Sequence, residues 1–329
     1  MFTVVAISIL GSQAIAQSHT AKPKAKPQTT PATAKPNALA EKLRLSYYDY
    51  DAKLPLNATL SDELPSPTKP LTELRKRYRV EYDSAHDQRV TAILSIPNAQ
   101  AAKHPAIVLL AGSGGHKDTD YVRLASDMFC TMGYVTISID AQYHGERSKK
   151  DRTGDIHLLG DVTNRDAWVQ TVIDLRRAVD FLISRPEVDA TKIGYLGFSQ
   201  GGMIGATFIG VEPRIHAACL AVAGGGFPAW SKVAKIWKAE QAATLDTSAE
   251  ICDPINFIGR FSPRPLLFIN AKRDELIPAS ASEALHKAAK EPKEIAWFNS
   301  GHVIPPTALL INGKQFFTKH LGSLEQAKH

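Results

Sequence analysis

Apolar positions follow one pattern early in the folded part of this chain and another later. Arg77 to Ser84 and Gln88 to Pro97 are β-rich runs separated by the turn-like Ala85-His86-Asp87, which predicts an antiparallel hairpin. After it the apolar runs lose their polar alternation: Ala106 to Ala111, Val135 to Ile139, Ile193 to Phe198, Ile215 to Ala223, Pro265 to Asn270 and Ile295 to Asn299. Segments with helical spacing lie between them, at Tyr121 to Met132, Asp166 to Ser184, Gly201 to Gly210, Ala279 to Lys290 and Thr307 to Leu321. Strands apolar on both faces and spaced by helices predict an α/β domain: a mostly parallel central sheet with helices on both faces. One interval breaks the alternation. Gly224 to Arg264, about forty residues, is too long for an ordinary loop and contains Trp230, Trp237 and a helical patch at Lys232 to Ala243. Residues 225–264 therefore read as a helical insertion. Loops at the carboxyl ends of strands border the ligand crevice of such sheets, so the insertion is placed to be a lid.

The N-terminal region has a different character. Val4 to Leu10 is an apolar run followed by Ala14-Ile15-Ala16, which reads as a signal peptide over residues 1–16 with cleavage before Gln17. Only Met1, Phe2 and Thr3 precede the run and none is basic, a departure from the usual pattern. Ala21 to Pro36 is almost entirely Ala, Lys, Pro, Thr and Gln, a composition too polar to offset its ordering entropy. Residues 17–46 thus read as a disordered tether, with the folded body at 47–329 and a periplasmic or secreted location. The run at the N-terminus is too short to cross a bilayer, so no stable membrane insertion is expected once it is removed.

Charge narrows the partners. The chain carries a net +6 and a pI near 9.1, but six cations against one carboxylate place +5 of that in residues 17–46. The body is close to neutral, so the basic pI is no argument for a nucleic-acid partner. Cys130, Cys219 and Cys252 form an odd set without CxxC spacing, which points away from a zinc site or a disulfide framework. Nothing in these counts fixes an oligomeric state.

The chemistry is carried by Gly197-Phe198-Ser199-Gln200-Gly201. It matches G-x-S-x-G at a strand-to-helix junction, the nucleophile elbow, where a sharp turn lifts the serine hydroxyl clear of the sheet. A serine needs a base and the base an orienting acid, and in this architecture they follow in the order Ser, Asp, His. After the run ending at Asn270 comes Asp274, and after the run ending at Asn299 comes His302, both at the same sheet end as Ser199. Taken singly, Asp274 also suits a helix N-cap and His302 a loop histidine bonded to backbone. Their joint arrival at these positions favours a triad. His144, in an earlier loop at that end, reads as pocket wall rather than base, together with Tyr143. Trp168, Phe227 and Trp230 have two readings: lining for an acyl or aryl pocket, or the core of the insertion.

An oxyanion hole needs backbone N–H donors. Gln200, after the nucleophile, supplies one. Gly112-Ser113-Gly114-Gly115, after the run ending at Ala111, supplies the other, from Ser113 or, as an alternative, Gly114. The loop lacks the lysine and glycine spacing of a P-loop.

The segments VLLAGSGGHKD, DAQYHGERS, GYLGFSQGGMIG, NAKRDELIP and NSGHVIPP together resemble α/β-hydrolases of the dienelactone hydrolase and acetyl xylan esterase-like group. The likeness covers about Arg77 to Leu321 and implies an α/β-hydrolase fold with Ser199 as nucleophile, Asp274 as acid, His302 as base, and Ser113 and Gln200 lining the oxyanion hole. Two departures stand out. The usual His before the oxyanion Gly is Ala111, so one loop-stabilising contact is missing, and dienelactone hydrolases proper have Cys where this chain has Ser199. The expected activity is that of a serine esterase acting on a small-molecule ester through an acyl-enzyme, without cofactor or metal. The alternatives are a prolyl-oligopeptidase-type peptidase, for which Tyr47 to His104 is too short to form a propeller, an acyl thioesterase, and a silent binding protein of the same fold.

Overall fold

In the computed structural model the described residues are 38–65, 74–152, 154, 162–234 and 242–323. The centre of the sheet is β4 (His104–Leu110), buried at every position, flanked by β5 (Val135–Ile139) and β6 (Val188–Phe198). Next to β6 come β7 (Ala217–Ala221), β8 (Leu266–Ala271) and β9 (Lys293–Phe298), all parallel. On the other side, β2 (Arg75–Asp83) and β3 (Arg89–Pro97) form the predicted hairpin, in register from Arg75 opposite Pro97 to Asp83 opposite Arg89. An exposed edge strand, β1 (Thr59–Glu63), completes the order β1-β2-β3-β5-β4-β6-β7-β8-β9. The hairpin joins β5 rather than β4, its nearer neighbour in sequence.

Side-chain alternation along β4 assigns the helices to faces. Ile107 and Leu109 pack in one apolar cluster with α2 (Asp120–Thr131) and α8 (Pro306–Leu321), through Val122, Phe129, Phe316 and Phe317. Val108 and Leu110 point the other way, into a cluster with α3 (Val162–Ser184) and α4 (Gln200–Val211), through Val172, Ile173, Met203 and Phe208. Helices therefore cover both faces, and the strands are apolar on both sides for that reason.

One region differs from the sequence expectation. α1 (Ala38–Ser46) is helical and ties to the body through Arg44, whose guanidinium donates to the Glu250 carbonyl (2.6 Å) and carboxylate (2.8 Å). The last residues assigned to the tether thus belong to the folded part. The expected signal peptide and the rest of the expected tether lie outside the described residues. Among the described residues the β7–β8 connection carries α5 (Phe227–Ala234), α6 (Ala242–Cys252) and two short 3-10 turns, at Pro254–Asn256 and Ile258–Arg260. Trp237 lies outside the described residues. α7 (Ala279–Ala288) then links β8 to β9. No helix among the described residues is long and apolar enough to cross a membrane.

Candidate active site

A single residue separates β6 from α4, and it is Ser199. Its backbone sits at φ +52, ψ −119, a region that a side chain occupies only when its surroundings enforce it. Here Ser199 N–H donates to the Ala221 carbonyl of β7 (2.8 Å), and Met203 N–H closes the first turn of α4 onto the Ser199 carbonyl (3.0 Å). The flanking glycines are steric requirements. A Cβ on Gly197 would collide with the Gly201 carbonyl, and one on Gly201 with the Leu110 and Ala111 carbonyls. The strand, the turn and the neighbouring strand approach too closely for any side chain.

His302, half-buried after β9, brings Nε2 to 2.9 Å from Ser199 Oγ and Nδ1 to 2.9 Å from each Asp274 oxygen. Three residues far apart in sequence thus make one hydrogen-bonded line. Asp274 does a second job: its Oδ1 also accepts from Leu276 N–H (2.9 Å) and Ile277 N–H (2.8 Å). The helix N-cap reading does not hold, because the next helix begins at Ala279 with Pro278 at its N-cap, and Asp274 pins the turn before it instead. The β8 and β9 loops are fastened by Arg273 N–H to the Ser300 carbonyl (3.0 Å) and by His302 N–H to Glu275 Oε2 (3.0 Å). Glu275, which its place beside Asp274 does not reveal, holds the backbone of the histidine loop.

On the opposite side of Ser199, Gly115 N–H bonds to the Gly112 carbonyl (3.0 Å), closing a turn with Gly114 at φ +69. The Ser113 hydroxyl donates to Gln200 Oε1 (2.6 Å), and Gln200 Nε2 donates to the Gly154 carbonyl (2.9 Å). Both residues expected at an oxyanion hole are therefore joined to each other beside Ser199. The contact that Ala111 fails to provide has a counterpart in Tyr121, whose hydroxyl accepts from Gly112 N–H (2.9 Å).

The residues expected to line a substrate pocket divide. Trp168, Phe227 and Trp230 are buried and pack ring against ring, with centroids 5.7 and 6.0 Å apart. Their burial places them in one aromatic cluster of the core. His144 is buried as well, with Nδ1 3.0 Å from the Gln142 carbonyl. Its loop is fixed by the buried Asp140, which accepts from Lys117 Nζ (2.6 Å), Thr91 Oγ1 (2.7 Å) and Glu146 N–H (3.1 Å). Glu146 in turn bonds Arg79 first and Lys117 second, which holds its carboxyl down to about 2. Tyr143 does line an open cavity, of about 480 Å³, with His86, Gln88, Gln142 and Gln170. None of Ser199, Asp274 and His302 is among its described walls. The three cysteines are buried free thiols, and burial pushes Cys130 up to about 12.

The architecture is an α/β-hydrolase fold. The chain belongs to the acetyl xylan esterase (AXE1) family, whose model matches residues 53–245, more than half of its length. It is similar to the acetyl esterase Axe7A of Xylanibacter ruminicola, at 24% identity over 220 residues covering 59% of this chain and 48% of that one. The chain thus spans about half the length of that relative. A human acylamino-acid-releasing enzyme is 25% identical over 215 residues, 60% of this chain and 28% of that one. Among solved structures, an acetyl xylan esterase from Paenibacillus sp. R4 superposes with a TM-score of 0.71 at 21% identity, over 86% of this chain and 94% of that one.

Proposed function

We propose that this chain removes short acyl groups, acetyl first among them, from hydroxylated small molecules through an acyl-enzyme on Ser199. The observation that carries the reading is the unbroken line from Asp274 through His302 to Ser199 Oγ. In the first half-reaction Ser199 Oγ attacks the acyl carbon while His302 Nε2 takes its proton, and the tetrahedral oxyanion faces the N–H groups of Gln200 and Ser113. Collapse expels the alcohol, which receives that proton from His302. Water then adds to the acyl-enzyme by the same route and releases the acid. Asp274 keeps the imidazole oriented with Nε2 toward serine. The names of the relatives point to acetylated saccharides as the substrate class. We read residues 225–264 as a cover over this end of the sheet, its base fixed in the core by Phe227, Trp230 and Phe257. We read residues 1–16 as an export signal, for which the mature protein would begin near Gln17.

Reaction with a fluorophosphonate tests the centre of this reading. Mass spectrometry should place one adduct on Ser199, and Ser199→Ala should lose both adduct and turnover of p-nitrophenyl acetate. Hydrolysis surviving in Ser199→Ala would sink the mechanism. A series of p-nitrophenyl esters of increasing chain length, beside acetylated xylo-oligosaccharides, should show the highest kcat/KM on acetyl. Preference for an acyl-peptide would move the chain toward its peptidase relatives.

A further inference from the structure

We propose that Tyr121 is a positioning residue for the oxyanion site, holding the Gly112–Gly115 turn so that its N–H faces the reacting carbonyl. The turn has little of its own to hold it. Three of its four residues are glycine, which lose more conformational freedom on ordering than any other residue. Its internal bond, Gly115 N–H to the Gly112 carbonyl, closes the turn without fixing where it sits relative to Ser199. The Ser113 hydroxyl ties the tip to Gln200. At the base, the Tyr121 hydroxyl accepts from Gly112 N–H at 2.9 Å, from the first turn of α2.

The same ring touches the nucleophile strand. Tyr121 packs edge-on against Phe198, centroids 5.0 Å apart, and Phe198 is the residue before Ser199. One side chain therefore spans the two parts whose separation an oxyanion hole must fix. The approach of Gly112 to the nucleophile is close: a Cβ there would lie 3.0 Å from Ser199 Cβ. Small displacements of the turn thus change the distance to the oxyanion directly. Gly115 is matched to the tyrosine as well, since a Cβ on it would lie 2.8 Å from the Tyr121 hydroxyl. Burial raises the pKa of this phenol, so the hydroxyl stays neutral across the range in which esters are hydrolysed.

The proposal rests on the reading of Ser199 as nucleophile, and the test keeps the two apart. Tyr121→Phe removes the hydroxyl and leaves the ring on Phe198. Deleting an oxyanion donor outright costs about 10²- to 10³-fold in kcat. A loosened donor should cost about tenfold, with KM within about twofold, because the ground-state carbonyl draws little on the donor. Affinity for a trifluoromethyl ketone, which forms the tetrahedral oxyanion, should fall in step with kcat/KM, and the melting temperature should hold within about 2 °C. Tyr121→Leu, which removes the hydroxyl and the ring contact with Phe198 together, should lose at least as much kcat and serves if the phenylalanine variant does not fold. Unchanged kcat in a folded Tyr121→Phe, or a loss expressed only in KM, overturns the proposal. If Ser199→Ala itself remains active, the site reading fails first. If Ser199→Ala is dead and Tyr121→Phe is fully active, only the role of Tyr121 fails.

Discussion

Asp253 and Asp274 stand on either side of β8 and do the same thing to their own backbone. Asp274 accepts from Leu276 and Ile277 N–H, and Asp253 accepts from Gly226 (2.9 Å), Phe227 (2.7 Å) and Ile255 (3.2 Å) N–H. Both carboxylates are buried and both pin a turn. They differ in the remaining partner. Asp274 meets His302, a ring brought in by the loop after the adjacent strand, whereas Asp253 is filled by amides from the insertion itself. Turn-forming and the hydrogen bond to His302 are therefore layers of one device. Backbone donors fix the carboxylate first, and a fixed carboxylate can then hold an imidazole in one tautomer.

The sharpest way to break this comparison is the same substitution on both sides. Asp274→Asn should lower kcat by about 10³- to 10⁴-fold, the scale of amide replacement of a triad acid, while circular dichroism and melting remain near those of the parent. Asp253→Asn should leave kcat within about threefold and lower the melting temperature by a few degrees, since its amide nitrogen cannot accept from every N–H the carboxylate serves. The reverse pattern, a dead Asp253→Asn beside an active Asp274→Asn, would show that the insertion supplies the acid.

Acidity sharpens the contrast. Burial raises the Asp253 carboxyl above its ordinary value against the lowering by its three backbone donors. The folded chain then binds that proton more tightly than the unfolded one. The stability this group contributes is present in acid and declines as pH rises through the carboxylate range. Urea midpoints measured from about pH 4 to 7 should therefore fall less in Asp253→Asn than in the parent. Glu275→Gln should have the smallest effect. Its carbonyl oxygen can still accept from His302 N–H, so kcat/KM should drop less than about tenfold. A larger drop would mean that the charge beside the histidine matters as well as the acceptor.

Ser199, Asp274 and His302 were legible because each follows a strand that announces itself locally. An apolar run, a turn residue and a helix onset lie within a few residues of one another, and the sheet then brings the three loops to one end. Much of the rest depends on partners distant in sequence. β1 reads Thr-Leu-Ser-Asp-Glu, exposed at every position, and is a strand only because β2 offers it an edge. α1 lies at the border of a lysine- and proline-rich stretch and is fixed by Glu250, more than two hundred residues away. The insertion of β5 between β3 and β4 leaves no mark on the hydrophobic pattern, since all three strands are apolar in either order. Trp168, Phe227 and Trp230 kept two readings because an aromatic ring has the same sequence signal in a pocket and in a core. Tyr121 and Glu275 were hidden for another reason: each holds a backbone amide in a different loop, beyond the reach of the local spacing rules that mark caps and turns.

The positive φ of Ser199 has a consequence for the inactive forms of this protein. A residue held there by its neighbours carries strain of order 1–3 kcal/mol when it has a Cβ and far less when it does not. Ser199→Ala keeps the Cβ and should melt near the parent. Ser199→Gly abolishes the nucleophile and relaxes the turn, and despite the added freedom of its unfolded chain it should melt slightly higher. The most robust version of the molecule is then one without the proposed nucleophile, and Ser199 holds its hydroxyl at the expense of stability.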